Sequence, residues 1–464
     1  MTNFKKLMIA NNKFLLIFLI IFLLSILNSI YQIKNFDNFD NSTNKSHHSM
    51  IYGDIEDFWR EGFFISEDLK KNISYFNTGG EYRRPYLPSR IYALYSLIFN
   101  KKIYDEKDKV IIGFHKIIIL FTQTIIYFLL LFFLYKELLL IFNKLQSRFT
   151  ILFLSLEPSL FMYHSSFWSE SFFFSLQIAL LILLLKKNNS FFYYCTVGFL
   201  LGVLYLQRSV AIFYFVPILI FFFIKEKKFF LKSTILILIS YFAIHIFIGY
   251  HNHVRMGIFY TISTQAKDGF YIYLAPNIVS KNLNISNEKS FEILNNKKNK
   301  WAKDNNLNLS NESDRLLFYD FQKKEALRIF FENPLNSILV ILNKSKHFLV
   351  LDPITHVYNF HRWDYRNGLY YKSDEHFKWI VPRIIYSTIV YLICLIGLYQ
   401  LFKVKKYRPY LFLILSSIIY FFTVQSWYGG TRYYAPILIY LSFIFAHGIY
   451  FLYIRFFNLK YDSY

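Results

Sequence analysis

Apolar runs of membrane-spanning length recur along nearly the whole chain. They fall at approximately 14–31, 113–135, 149–165, 169–185, 191–206, 210–224, 233–250, 379–402, 409–426 and 433–454. A hydrocarbon core of about 30 Å calls for about 17–25 such residues in a helix. A helix satisfies its backbone hydrogen bonds within itself, so repeated helical spans are what a bilayer permits. The pattern predicts an all-α integral membrane protein, a bundle of about ten transmembrane helices. Two long polar stretches, 32–109 and 250–377, interrupt the runs and must lie outside the bilayer. The first run, from Phe14, follows Lys5, Lys6 and Lys13 as a signal would. It is long for a cleavable segment and no small-x-small site precedes the polar stretch, so it reads as an uncleaved first span.

Charge orients the bundle. With the N-terminus inside, inner segments hold Lys5, Lys6 and Lys13, then Lys136, Lys144 and Arg148, then Lys186 and Lys187. They continue with Lys225, Lys227, Lys228 and Lys232, then Lys403, Lys405, Lys406 and Arg408, then Arg455 and Lys460. The short outer turns hold only Arg208 and Arg432 as basic residues. By the positive-inside rule both termini are cytoplasmic and both polar stretches face out, in a setting such as a bacterial inner membrane. The chain then divides into an N-terminal transmembrane module (1–250, with outer loop 32–109), a large extracytoplasmic loop (251–378) and C-terminal transmembrane helices (379–464). Each outer segment carries a candidate interfacial helix: the amphipathic stretch Pro88 to Phe99, and the apolar stretch from Leu335, which Lys344, Lys346 and His347 make too polar for an easy span. No internal repeat is visible, which disfavours a repeat-built transporter.

The formal charge of +22 changes little once it is placed. The basic residues sit in the gaps between spans, and no cluster interleaved with stacking aromatics offers a nucleic-acid surface. Membrane lipid is the partner this distribution implies. Cys195 and Cys394 both fall in predicted spans and read as small packing residues, not as a disulfide or metal pair.

On that topology the unusual polar residues collect on the outer side. The first outer segment carries Asp54, Glu56 and Asp57, then Arg83 and Arg84 before Pro85. The turn after the third span holds His164, Trp168 and Glu170; the turn after the fifth ends in Arg208; the turn before the last span holds Trp427, Arg432 and Tyr433. Charges at the ends of spans are costly unless paired or functional. Arginine offers a planar fork for phosphate oxygens, a carboxylate can take a proton from an attacking hydroxyl, and aromatic rings beside them can line a sugar site. Each has a plainer explanation. The three acids can form a solvated turn, Arg83 and Arg84 can meet lipid headgroups, and Glu170 can cap a helix. Glu157 before Pro158 is either a buried hydrogen-bonding residue or part of an acidic site. Arg208 and Arg432 can be interface anchors, Trp427 and its tyrosines an aromatic belt. His164 has no second His or Cys at ligand spacing, so a structural role fits it better than a metal.

The order of these motifs resembles the GT-C superfamily of membrane glycosyltransferases. The likeness is to family 39-like proteins, related to protein O-mannosyltransferases and the lipid A aminoarabinose transferase. Asp54 with Phe58 is similar to that family's early outer-loop acid and aromatic, and Arg84-Pro85-Tyr86-Leu87-Pro88 to its Arg-Pro element before an amphipathic helix. Pro158 with Glu170, the Gly198, Gly202 and Arg208 set, and Thr431-Arg432-Tyr433-Tyr434-Ala435-Pro436 fit later elements, while Ile55 separates Asp54 from Glu56 where better-known members have adjacent acids. The resemblance implies a GT-C-like bundle and inverting sugar transfer from a polyprenyl-phosphate donor to a glycan, lipid or protein acceptor. In that scheme Asp54 is general base and Glu170 a second catalytic acid. Arg83, Arg84, Arg208 and Arg432 take the donor phosphate. Glu56, Asp57, His164, Trp168, Trp427 and Tyr433 line the substrate. No cofactor is certain; a divalent cation on the acids is possible. An oligosaccharide polymerase or ligase, or a lipid or sugar transporter, remains the alternative.

Overall fold

A computed structural model gives the fold and describes residues 12–37, 54–78, 85–100, 104–105, 110–111, 113–164, 169–186, 188–261, 264–349, 364–366, 369–371, 375–426 and 434–457. The chain opens with α1 (Asn12–Asp37), α2 (Asp54–Lys70), a 3-10 turn (Tyr75–Asn77) and α3 (Tyr86–Phe99). A short antiparallel ladder follows, β1 (Tyr104–Asp105) on β2 (Val110–Ile111), with Tyr104 opposite Ile111. Then come α4 (Gly113–Leu138), α5 (Lys144–Leu156), α6 (Pro158–His164), α7 (Glu170–Leu185), α8 (Phe191–Gln207), α9 (Phe215–Lys225) and α10 (Phe230–Met256). The second polar stretch folds as α11 (Thr264–Tyr273), α12 (Ala275–Leu283), α13 (Asn287–Asp304), α14 (Glu312–Glu332) and α15 (Pro334–Leu349). A second ladder, β3 (Asp364–Arg366) on β4 (Leu369–Tyr371), precedes α16 (Glu375–Lys403), α17 (Arg408–Gln425) and α18 (Ala435–Phe456).

Each predicted apolar run contains helix among the described residues, and the architecture is the all-α membrane bundle the pattern implies, with the two ladders as small additions. Among the described residues, six helices are long and apolar enough to cross a membrane: those at Lys13–Tyr31, Ile117–Leu138, Lys227–Met256, Val381–Lys403, Lys405–Gln425 and Ala435–Phe456. The apolar helices α7 and α8 are shorter, 16 and 17 residues; at 1.5 Å per residue they reach roughly 25 Å. The last helix is the hub: 72% of its span is buried, against 22% for the one ending at Met256. Helices of the bundle close in where glycines remove a side chain. A Cβ on Gly202 would sit 2.6 Å from Ile244 of α10, so Gly202 sets the α8–α10 approach.

Two runs depart from single straight spans, each for a physical reason. Residues 149–165 form two helices, α5 and α6, broken at Glu157. Pro158 cannot donate to the preceding turn and drives Glu157 to an extended ψ of 121°. One freed backbone group is satisfied locally, Leu160 N–H donating to Glu157 Oε2 at 2.9 Å, and the carboxylate in turn accepts at Oε1 from the Tyr386 hydroxyl of α16 at 3.4 Å. Glu157 is thus the buried hydrogen-bonding residue of its two readings. Ahead of α9, residues 209–214 leave the α-helix, and backbone groups opened inside a bundle need partners. Tyrosines supply them. Tyr420 donates to Val210 O at 2.5 Å and accepts from Phe213 N–H at 3.0 Å, and Tyr241 donates to Ile212 O.

The turns that charge assigns to one side do gather at one end. Leu140, Asn188, Lys225 and Lys406, from four different inter-helix turns, line a single cavity there. At the opposite end the polar stretches fold back on the bundle. Residues of 264–349 have a small core of their own around Tyr271, Leu274, Ile278, Leu294, Ile329 and Val340. It is tied to the end of α10, where Arg255 Nη2 lies 3.2 Å from Glu312 Oε1. On α15, Leu335, Ile338, Leu339 and Leu342 stay exposed at helical spacing, the uncovered apolar face of a helix suited to a membrane interface.

Candidate functional site

The site is built where α7 begins and α8 ends. A carboxylate at the first residue of a helix is favoured by the helix dipole, and Glu170 holds that position in α7. Capping alone would leave it at a surface. Glu170 is instead fully buried, and its Oε1 forms an ion pair with Arg208 Nη1 at the end of α8. Ser169 Oγ donates to Glu170 Oε2 at 3.2 Å, and the Gln207 side-chain amide donates to Ser169 O at 2.8 Å. The Arg208 guanidinium lies 5.9 Å from the centre of the Phe173 ring. On the other flank Gln123 of α4 donates to Ser171 Oγ at 2.5 Å. Two charges taken out of water together, with neighbours fixing both ends, make a rigid desolvated pair.

The first outer segment docks onto this pair. Tyr92 of α3 sits close enough to feel the Glu170 charge; burial first, then Tyr95 and Glu170, push its hydroxyl pKa up. Trp59 of α2 stacks on the Tyr92 ring, with centroids 4.4 Å apart and planes 18° apart. Gly62 permits the approach, since a Cβ there would lie 2.7 Å from Ser89 O. A second pair locks the same helices: Arg90 Nη1 to Glu61 Oε1 at 2.8 Å, with Ser89 Oγ donating to Glu61 Oε2 at 2.7 Å. Burial by itself would lower the Arg90 pKa; Glu61, then Tyr86 and Tyr75, outweigh it and raise it above its ordinary value. The Arg90 guanidinium covers the Tyr86 ring at 3.8 Å, the Tyr86 and Tyr75 hydroxyls are 2.5 Å apart, and His251 Nε2 lies 3.2 Å from Tyr75 O. A chain of contacts therefore runs from α10 through α3 to α2, whose first residue is Asp54.

Of the residues singled out in the sequence, the structure brings Glu170 and Arg208 together. It buries His164 against Tyr127, with centroids 4.5 Å apart, and against the edges of Phe128 and Phe161. Asp54, Glu56 and Asp57 lie in the first turn of α2, and their side chains fall outside the described residues. Arg83, Arg84, Trp168, Trp427, Arg432 and Tyr433 also lie outside them. Among the described residues no group of three His, Cys, Asp or Glu side chains is arranged to hold a metal ion. Sequence reasoning passed over Trp59, Tyr92, Glu61 and Arg90. The available signal was the last two: opposite charges on otherwise amphipathic helices of the same outer segment.

Residues 109–251, the stretch that contains the Glu170–Arg208 pair, match the family described as Dolichyl-phosphate-mannose-protein mannosyltransferase. That match bears out the GT-C resemblance. The matched stretch lies within the helical membrane bundle described above. Two solved structures are also similar to this chain: the Archaeoglobus fulgidus oligosaccharyltransferase in its apo form, and the archaeal oligosaccharyltransferase from Archaeoglobus fulgidus in complex with an inhibitory peptide and a dolichol-phosphate. Each is 12% identical with a TM-score of 0.48, and the alignment covers 95% of this chain and 51% of that one. This chain thus spans about half the length of those structures. No curated protein matches it.

Proposed function

We propose that the chain catalyses inverting transfer of a sugar from a polyprenyl-phosphate donor to an acceptor hydroxyl on the extracytoplasmic face. The observation that carries this reading is the family match over 109–251, because it encloses the buried Glu170–Arg208 pair and is named for a dolichyl-phosphate sugar donor. Asp54 takes the proton of the acceptor hydroxyl as its oxygen attacks the anomeric carbon. The bond from that carbon to the phosphate oxygen breaks, and the lipid monophosphate leaves with a full negative charge. Arg83, Arg84 and Arg432 stabilise that charge as it grows. Arg208 acts on the phosphate from the position its pairing with Glu170 fixes, and Glu170 orients the acceptor. Glu56, Asp57, His164, Trp168, Trp427 and Tyr433 complete the substrate surroundings. A glycan, a lipid or a protein can supply the hydroxyl.

The test is transfer by the purified full-length protein in lipid vesicles supplied with a polyprenyl-phosphate sugar. The expected by-product is a lipid monophosphate. Use of a lipid-diphosphate donor only, or release of diphosphate, would reject the reading in favour of a polymerase or ligase; sugar movement without any covalent product would favour a transporter. Orientation is tested separately in a variant with Cys195 and Cys394 replaced by Ser. A cysteine at position 299, exposed on α13, is expected to react with an impermeant label in intact cells, and one at position 228, exposed beside α10, to be spared. The reverse pattern would place the proposed chemistry on the wrong side.

A further inference from the structure

At the end of the bundle away from the Glu170–Arg208 pair, four inter-helix turns enclose a half-open cavity of about 500 Å³. Its walls are unlike a lipid-facing groove. Lys225 and Lys406 bring two ammonium groups to it, Glu226 one carboxylate, and Asn188 an amide, while Leu140 and Tyr410 form an apolar rim. Two of the three charges are held in place before anything binds. Lys225 Nζ donates to Leu184 O at 2.9 Å, at the C-terminal end of α7 where a cation is favoured. Glu226 Oε2 accepts from the Tyr194 hydroxyl at 2.6 Å. Lys406 lies in the 3-10 turn Lys405–Tyr407 with its side chain exposed. Leu140 is 77% exposed, so the cavity carries an uncovered apolar residue beside its charges.

We propose that this cavity binds the phosphate of an anionic phospholipid headgroup, with the acyl chains leaving over Leu140. Three features fit together. The lining carries a net positive charge, and Lys186, Lys227, Lys228 and Lys405 in the same turns add to it. The volume lies within the roughly 300–1,000 Å³ of small-molecule sites. Basic pockets between transmembrane helices are suited to phosphate headgroups, because lysine supplies a point charge beside apolar surface that accepts the chains. Asn188 can hydrogen-bond to the glycerol or phosphate oxygens, and the fixed Glu226 disfavours a second anion in the cavity. The site is independent of the proposed transfer chemistry at the other end of the bundle.

Binding is read by native mass spectrometry and melting midpoint of the full-length protein in detergent, with phosphatidylglycerol, phosphatidylcholine or inorganic phosphate added. Lys406→Glu reverses an exposed charge at the cavity, and Lys289→Glu makes the same change on the distant, exposed part of α13. The wild type is expected to retain phosphatidylglycerol over phosphatidylcholine, and Lys406→Glu to lose about tenfold in that retention while Lys289→Glu keeps it. Equal retention by the two variants would overturn the proposal. So would stabilisation of the wild type by inorganic phosphate as large as that by the lipid, which would make the cavity a site for a soluble phosphate.

Discussion

Asp54→Asn is expected to lower sugar transfer by roughly 10²-fold or more while the protein still accumulates in membranes at the normal level. The contrast between those two readouts comes from where the residue sits. Asp54 opens α2, and a helix start accepts Asn nearly as well as Asp, so the substitution keeps the local structure. It removes only the ability to take a proton. The rest of α2 is held by other contacts, the Trp59 stack on Tyr92 and the Glu61–Arg90 pair, and neither involves the changed atom. A solvated acidic turn, the plain alternative, predicts no change in transfer. Near-normal turnover at equal protein level would therefore remove Asp54 from the base role and move it to Glu56, Asp57 or Glu170.

The membrane architecture was legible because a bilayer is an unforgiving solvent. Ten apolar runs could be read directly, and each contains helix among the described residues. The charge alternation also foresaw which turns share an end, since Lys225 and Lys406 line one cavity. Less legible was how the runs are interrupted. Pro158 was visible inside the third run, yet a break there depends on the Glu157 carboxylate taking up the Leu160 N–H, and on that buried carboxylate finding a partner in Tyr386, which lies far away in sequence. The opened segment before α9 is similar: Tyr241 and Tyr420 look like two more members of an abundant class until their hydroxyls are seen on backbone carbonyls. For the site, Glu170 and Arg208 were each found as a charge at a span end. Their pairing was not, because it depends on the α7 and α8 ends meeting in space. Trp59, Tyr92, Glu61 and Arg90 were missed for the opposite reason. Amphipathic helices usually carry charges on a solvated face, so the opposite signs of Glu61 and Arg90 did not by themselves say that this face would be buried against another helix.

Arg208→Met is expected to damage the fold more by itself than in combination with Glu170→Leu. Glu170 is fully buried, and removing its guanidinium leaves a carboxylate without that compensation, a change that typically costs about 3–5 kcal/mol. Replacing both charges by apolar groups of similar reach removes the penalty, since desolvation and attraction vanish together. The melting midpoints of the two single variants, the double variant and the wild type form a cycle, and the double is expected to lie well above the sum of the singles. Purely additive losses would show that the two groups are not energetically coupled, against the geometry. Transfer then separates structure from chemistry. If the pair only braces α7 against α8, the double variant regains transfer along with its stability. The proposed roles predict the other result, a folded double variant with transfer still lost, because neither the acceptor-orienting carboxylate nor the phosphate-facing guanidinium has been restored. Recovery of transfer in the double would leave Arg83, Arg84 and Arg432 to meet the donor phosphate, and would make Glu170–Arg208 a brace between two helices.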